Sequence, residues 1–167
     1  MANYTKPHMF NIVLNSQQVS DASSINNNDR SYEFNWSNIP HGKYEMSFTY
    51  KGLNNGDFVA NDSPQLFLSL GATPSTYQAS NAYGSVISNY IGALHAETHA
   101  ATQVAFYANE QDNCIVYYES LPTSGPIRLQ VYKADFVTLF TTTTADLANY
   151  VVVLHFKQIG KIDGYNI

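Results

Sequence analysis

Hydrophobic and polar residues alternate with a period of two along much of the chain, a pattern typical of β-strands that have one buried face. The clearest run is residues 43–51, where Tyr44, Met46, Phe48 and Tyr50 alternate with polar or charged residues. Alternation or a short apolar run predicts further strands at residues 9–14, 31–36, 65–70, 86–91, 102–108, 114–119, 127–131 and 150–156, with a shorter one at 136–140. No helical period exceeds about two turns, although residues 91–101 are ambiguous.

Two of these runs flank a short turn. Residues 31–36 and 43–51 are separated by a segment that contains Ile39-Pro40-His41-Gly42. Proline at the second position and glycine at the fourth favour a type I turn. We therefore predict that the two runs form a β-hairpin, with Phe34 and Trp36 facing the core.

The last apolar run, residues 150–156, is the one around which we expect the fold to be organised. Its even positions, from Tyr150 to Phe156, share one face, and Val151 and Val153 share the other. The start of this strand is therefore expected to be covered on both faces. A long apolar strand must be paired, since an open edge is a template for aggregation. We predict that residues 150–157 form a central strand, antiparallel to residues 9–14.

The spacing of the runs predicts an all-β fold in one domain, residues 1–167. Nine or ten short strands are separated by connections at 15–30, 52–64 and 133–149 that are too long for a simple meander. Long connections indicate Greek-key wiring, so the predicted architecture is a single jelly-roll β-sandwich of two antiparallel sheets with about eight main strands. The side chains predicted between the sheets are Phe34, Trp36, Tyr44, Met46, Phe48, Leu66, Leu68, Val104, Phe106, Ile127, Leu129, Val131, Val152, Leu154 and Phe156.

Charge is low for a chain of 167 residues: charged residues are 13% and the net charge is −5. About 25% is typical, so Asn, Ser, Thr, Gln and Tyr must supply the polar surface. Such a surface suits contacts with other subunits, although a low-charge β protein without partners would look the same. Without a Lys/Arg cluster, direct binding of nucleic acid is not expected.

Compartment and membrane signals are few. The single Cys114 excludes an intramolecular disulfide framework. We find no secretory signal at the N-terminus and no apolar stretch of about 18 residues, so a reducing compartment and no membrane span are expected.

Histidine provides the one constellation that could carry chemistry. In His95-Ala96-Glu97-Thr98-His99 the glutamate comes two residues after the first histidine, whereas the metalloprotease motif places it directly after. The alternatives are a zinc site and a polar loop. No nucleophile elbow, phosphate-binding loop or dinucleotide motif occurs, and the carboxylates are scattered. We therefore expect no enzyme and predict no catalytic, cofactor-binding or metal residues. Tyr and Asn on loops leave a carbohydrate- or receptor-binding sandwich, such as a fibre head or lectin-like module, as the alternative function.

Several segments resemble a viral family. Residues 39–50 (IPHGKYEMSFTY), 106–109 (FYAN), 121–131 and 146–156 (DLANYVVVLHF) resemble, in order, the minor capsid proteins of large icosahedral eukaryotic DNA viruses. Those viruses include the phycodnavirus and mimivirus-like groups and their virophage relatives. The resemblance covers about two-thirds of the chain and rests on strands and turns, whereas residues 15–30 and 71–101 match nothing in it.

The resemblance implies a single jelly roll and a structural role in an icosahedral virion, with synthesis in the host cytoplasm. The implied partners are the major capsid protein, other minor capsid subunits and further copies of the chain, at a penton or between capsomers. It implies no cofactor. We expect the loops at 15–30, 52–64, 71–80 and 133–149 to carry the contacts, because loops are what a sandwich presents to its neighbours.

Overall fold

The computed structural model describes residues 7–16, 28–55, 64–73, 78–80, 86–100, 103–140 and 150–160. Within these ranges the strands are β1 (Met9–Asn15), β2 (Asp29–Tyr32), β3 (Lys43–Asn55), β4 (Gln65–Leu70), β5 (Gln78–Ser80), β6 (Val86–Ser88), β7 (Tyr90–Ala93), β8 (His95–Ala100), β9 (Gln103–Ala108), β10 (Val116–Tyr118), β11 (Ile127–Tyr132) and β12 (Tyr150–Gly160). Two short 3₁₀ helices, Trp36–Asn38 and Glu110–Asp112, are the helical elements of this part of the chain. No described helix is long and apolar enough to cross a bilayer.

The strands form two main antiparallel sheets, so the prediction of an all-β sandwich is confirmed. The larger sheet has the order β1-β12-β3-β9-β8, with β10 also paired to β3. The smaller sheet has the order β2-β11-β4-β7, and β5 and β6 form a separate two-stranded ribbon. Buried side chains from both main sheets join one hydrophobic core.

The first and last strands pair as predicted. β1 is antiparallel to β12, with Ile12 opposite Leu154 and Leu14 opposite Val152. On its other side β12 pairs along most of its length with β3, where Leu154 lies opposite Phe48. The last strand therefore lies in the interior of the larger sheet. Its pairing with β1 holds both ends of the described chain in adjacent strands.

The predicted hairpin between residues 31–36 and 43–51 is wrong. β2 belongs to the smaller sheet and pairs with β11, whereas β3 belongs to the larger sheet. The residues between them cross from one sheet to the other. Alternation showed correctly that Tyr32 and Tyr44 face inward, but two strands that face one core from opposite sheets give the same pattern as two paired strands.

Local contacts explain why the chain turns where the hairpin was expected. The Asn35 side chain accepts a hydrogen bond from the Ser37 N–H at 3.0 Å and caps the 3₁₀ helix that starts at Trp36. The Trp36 ring is buried, and its indole N–H donates to the Gly125 carbonyl at 2.8 Å. The predicted strand 31–36 therefore ends at Tyr32, and Trp36 anchors the crossing chain.

The predicted core is largely confirmed. Of the fifteen predicted core residues named above, thirteen are buried. Phe34 is only partly buried and packs against the edge of the core. The side chain of Val104 lies outside what the structure describes.

Several strand bounds differ from the prediction. β3 runs to Asn55, into the predicted loop 52–64, and β5 lies within the predicted loop 71–80. The predicted strand 86–91 is divided at Asn89, whose φ of 72° interrupts the extended backbone. The predicted strand 136–140 makes only an isolated bridge between Leu139 and Tyr132.

Candidate interaction surface

The histidine constellation lies on a strand. β8 holds His95, Glu97 and His99, so the helical i, i+4 geometry of a zinc pair does not form. Residues four apart on a strand are separated by about 13 Å, too far for two side chains to bind one ion readily. His95 and Glu97 are exposed, and the side chain of His99 lies outside what the structure describes. Among the described residues no group of three or more His, Cys, Asp or Glu could hold a metal ion.

The outward face of the larger sheet carries most of the exposed large hydrophobic side chains among the described residues. The eight such side chains include six on this face: Met9, Val13, Tyr107, Ile115, Tyr117 and Val151. Met9 is 67% exposed and Val13 63% exposed. The expectation that β12 would be covered on both faces is therefore wrong for Val151, which is 39% exposed.

A groove of about 780 Å³ runs across this face. Strand pairing builds it, since Lys51 lies opposite both Val151 on β12 and Tyr107 on β9. One step along the sheet, Thr49 lies opposite Val153. Outward side chains that line the groove are Thr49, Lys51, Glu97, Ala105, Tyr107, Val151 and Val153. The surface that lines the groove is more apolar than polar, and Ala105, Val151 and Val153 are its aliphatic side chains.

A polar network lies beside the groove. The His155 ring places Nδ1 3.1 Å from Asn11 Oδ1, and Nε2 3.3 Å from Glu110 Oε1 and 3.4 Å from Thr49 Oγ1. It therefore connects β1, β12, β3 and the second 3₁₀ helix. Its polar atoms already have partners within the chain, which lowers the cost of covering them.

Two charges in the groove differ from the other charges on this face. Lys157 pairs with Glu45 across β12 and β3, with Nζ 2.7 Å from Oε1. Lys51 and Glu97 are exposed and, among the described residues, have no ion-pair partner. Burial of these two groups would require charged partners that the described residues do not supply.

The outward face of the smaller sheet differs from that of the larger sheet, because its outward side chain Phe67 is covered by other residues of the same chain. Phe67 is 2% exposed, and its ring centroid lies 5.1 Å from that of Tyr132, 5.3 Å from Tyr90 and 6.0 Å from Phe136. Asp135 holds the covering segment by accepting hydrogen bonds from the N–H groups of residues 137 and 138, each at 2.9 Å. The described residues provide no such cover over the larger sheet.

The loops expected to carry contacts fall largely outside the described residues, which lack 17–27, 56–63, 74–77 and 141–149. One described part of them is internal. Asn28 is 3% exposed, and its side-chain N–H donates to the Phe140 carbonyl at 2.7 Å. Sequence reasoning missed the sheet face, although its signal was present in Val13, Val151, Val153 and Tyr107, which occupy outward positions of their strands.

Comparison with known proteins returns no relative. No family model, no curated protein and no solved structure matches the chain. The resemblance to viral minor capsid proteins stays a prediction.

Proposed function

We propose that the protein is a structural virion component, a minor capsid or penton subunit without enzymatic activity. It acts by assembling with further copies of itself and with major capsid proteins. The observation that carries the proposal is the outward face of the larger sheet, where six exposed large hydrophobic side chains share one surface. Large apolar patches with a polar rim mark interaction sites, because isolated soluble proteins rarely expose them.

The strand order supports the jelly-roll part of the proposal. The larger sheet contains β1-β12-β3-β9 and the smaller sheet β2-β11-β4-β7, so each sheet interleaves strands from the two ends of the chain. Consecutive strands β1 to β4 alternate between the sheets. This interleaving is what two Greek keys wrapped into a jelly roll produce, and jelly rolls are common in viral capsids.

Composition supports assembly as well. Only 13% of the residues are charged, so few charges need partners when surfaces are buried. Uncharged polar groups exchange water for a protein partner at small net cost. A shell that repeats one moderate interface many times gains stability without requiring any single tight contact.

A carbohydrate- or receptor-binding module is the second candidate, and one observation favours it. Tyr107 presents an exposed ring beside the groove, next to Lys51 and Glu97, which could bind hydroxyl groups. However, among the described residues the groove offers a single exposed aromatic ring, and most of the surface that lines it is apolar. An apolar lining suits protein side chains better than the polar edges of a sugar.

A cryo-EM map of the source particle tests the proposal. We expect density for the sandwich in the shell at a stoichiometric copy number, with the outward face of the larger sheet against a neighbouring protein. Absence of the chain from purified particles, or a particle in which this face is open to solvent, would overturn the proposal. Binding to a glycan array that is lost in Tyr107→Ala would establish the carbohydrate-binding function instead.

A further inference from the structure

We propose that the occupant of the outward face of the larger sheet is a second copy of the same chain, packed face to face around a twofold axis. This inference rests on the proposed function, because each takes the outward face of the larger sheet to be an interface. The inference adds the identity of the partner and the geometry of the contact. Two sheets packed in this way lie about 10 Å apart and interdigitate their side chains. A twofold arrangement is isologous, so it closes at two copies.

The size of the face fits such a dimer. Its main path has five strands. With strands spaced by about 4.8 Å and about 20 Å long, the face has an outline of roughly 24 Å by 20 Å. Side chains make the accessible surface larger than this outline, so that it approaches the roughly 800 Å² per partner of a standard interface.

The charge pattern favours a copy over a charged partner. The outward charges on the strands of this face are Lys43, Lys51, Lys157, Glu45 and Glu97, and Glu110 and Glu119 border it. Three lysines thus meet four glutamates, so this face is close to neutral although the whole chain carries a net charge of −5. The electrostatic potential of this face is therefore not complementary to a strongly acidic or basic partner. A second copy of the same nearly neutral face would be subject to little net repulsion.

Lys51 and Glu97 provide the reciprocal contact that a twofold interface needs. Lys51 lies on β3 and Glu97 on β8, with β9 between them, so two strand spacings of about 4.8 Å separate their strands. Neither has an ion-pair partner among the described residues. In a face-to-face dimer whose twofold axis passes over β9, Lys51 of each copy can pair with Glu97 of the other, which gives two symmetric ion pairs on either side of Ala105 and Tyr107.

The centre can be buried without leaving unpaired groups. Ala105 and Tyr107 lie on β9 beneath this axis, Val151 lies opposite Lys51, and the nearby His155 ring is already bound to Asn11 and Glu110. Burial of their apolar surface is favourable by about 25 cal/mol per Å². The interface therefore gains apolar contacts while its internal polar network stays intact.

Sedimentation velocity of the full-length protein, at concentrations from about 1 to 200 µM, tests the inference. We expect a dimer whose dissociation constant rises at least about 100-fold in Val151→Asp, because the new carboxylate lies opposite Lys51 and competes for it with Glu97 of the other copy, besides burying a charge at the interface. The matched control is Val137→Asp, since Val137 is 59% exposed but lies in the segment after β11. It should leave the dimer unchanged, and circular dichroism should show both variants folded.

A charge exchange tests the reciprocal pairs. Lys51→Glu and Glu97→Lys should each weaken the dimer by about tenfold, and the double variant should recover most of the loss. Both side chains are exposed, so neither change threatens the fold. A wild-type protein that is monomeric throughout, or a dimer indifferent to Val151→Asp, would overturn the inference.

The same experiments separate the two proposals. A particle in which another protein covers this face, together with a monomer in solution, would reject the twofold pairing and leave the virion role standing. A dimer through this face in a protein absent from particles would reject the virion role and leave the pairing standing.

Discussion

The hydroxyl groups of Tyr32 and Tyr150 lie 3.1 Å apart, joining β2 of the smaller sheet to β12 of the larger sheet. Tyr150 is 1% exposed and Tyr32 8% exposed. Burial raises the pKa of both phenols above the usual range, so both remain protonated at neutral pH. One hydroxyl therefore donates to the other, and a polar contact links the two sheets inside the core.

Removal of both hydroxyls should cost less than the sum of the two single removals. Tyr150→Phe leaves the buried Tyr32 hydroxyl without this partner and should lower the free energy of unfolding by about 1–2 kcal/mol. Tyr32→Phe should cost a similar amount, and the double variant clearly less than the sum of the two. Urea denaturation of the four proteins measures this cycle, and strictly additive losses would show that the hydroxyls do not interact.

Phe48 lies in the part of the core where β3 meets β12. It is fully buried, opposite Leu154, so Phe48→Ala should cost about 3–5 kcal/mol through lost burial and the cavity left behind. Ser47→Ala, one residue earlier on the outward face, is the matched control and should change stability by less than about 0.5 kcal/mol. Chemical denaturation of both variants is the measurement. A loss under about 1 kcal/mol for Phe48→Ala would contradict its placement in the core.

Sequence patterns predicted which side chains face inward, but they could not identify the partner strands. Tyr32 and Tyr44 both occupy inward positions, as alternation requires, yet they belong to different sheets. The pairing of β1 with β12 was predictable because each was strongly apolar and lacked a better local partner. The hairpin prediction was wrong because the chain between β2 and β3 crosses from one sheet to the other. This crossing is held by the buried Trp36, whose hydrogen bond to Gly125 joins distant parts of the sequence.

The candidate surface was beyond sequence analysis for a related reason. Phe67 and Val151 both occupy outward positions on largely apolar strands, and the sequence treats them alike. The structure covers Phe67 with the ring of Phe136, whereas no described residue covers Val151 to the same extent. Whether an outward apolar side chain joins a second core or an interface depends on its neighbours in the tertiary structure. The periodicity of the sequence carries no information about those neighbours.

Phe136 covers the smaller sheet at a conformational cost. Its φ of 59° lies in the left-handed region, where glycine is favoured over other residues. Both Phe136→Gly and Phe136→Ala remove the ring that packs near Phe67 and Tyr90 and should be destabilising. The glycine variant should be the more stable of the two by about 0.5–1 kcal/mol, because alanine keeps the backbone strain. Thermal and urea unfolding measure the difference, with Val137→Ala as the control. A more stable alanine variant would contradict the strain argument.

The ion pair between Asp29 and Arg128 should make stability depend on pH in the acid range. Arg128 donates to both carboxylate oxygens of Asp29, at 2.8 Å and 2.6 Å, and so joins β2 to β11. Hydrogen bonding to Arg128 holds the pKa of the Asp29 carboxyl below its usual value. A carboxyl whose pKa is lower in the folded state stabilises the fold above its unfolded pKa, and this contribution is lost as pH falls through the folded pKa.

Asp29→Asn tests this dependence. Because both side chains are partly exposed, the variant should lose only about 0.5–1 kcal/mol at pH 7. The difference from wild type should narrow in acid, as the pH falls through the lowered pKa of Asp29 and the carboxyl of the wild-type protein becomes protonated as well. Ser31→Ala, on the same strand, should show no such convergence. Urea denaturation of the three proteins at a series of pH values from 7 downward is the measurement, and a difference between wild type and Asp29→Asn that persists unchanged in acid would show that the ion pair is not its source.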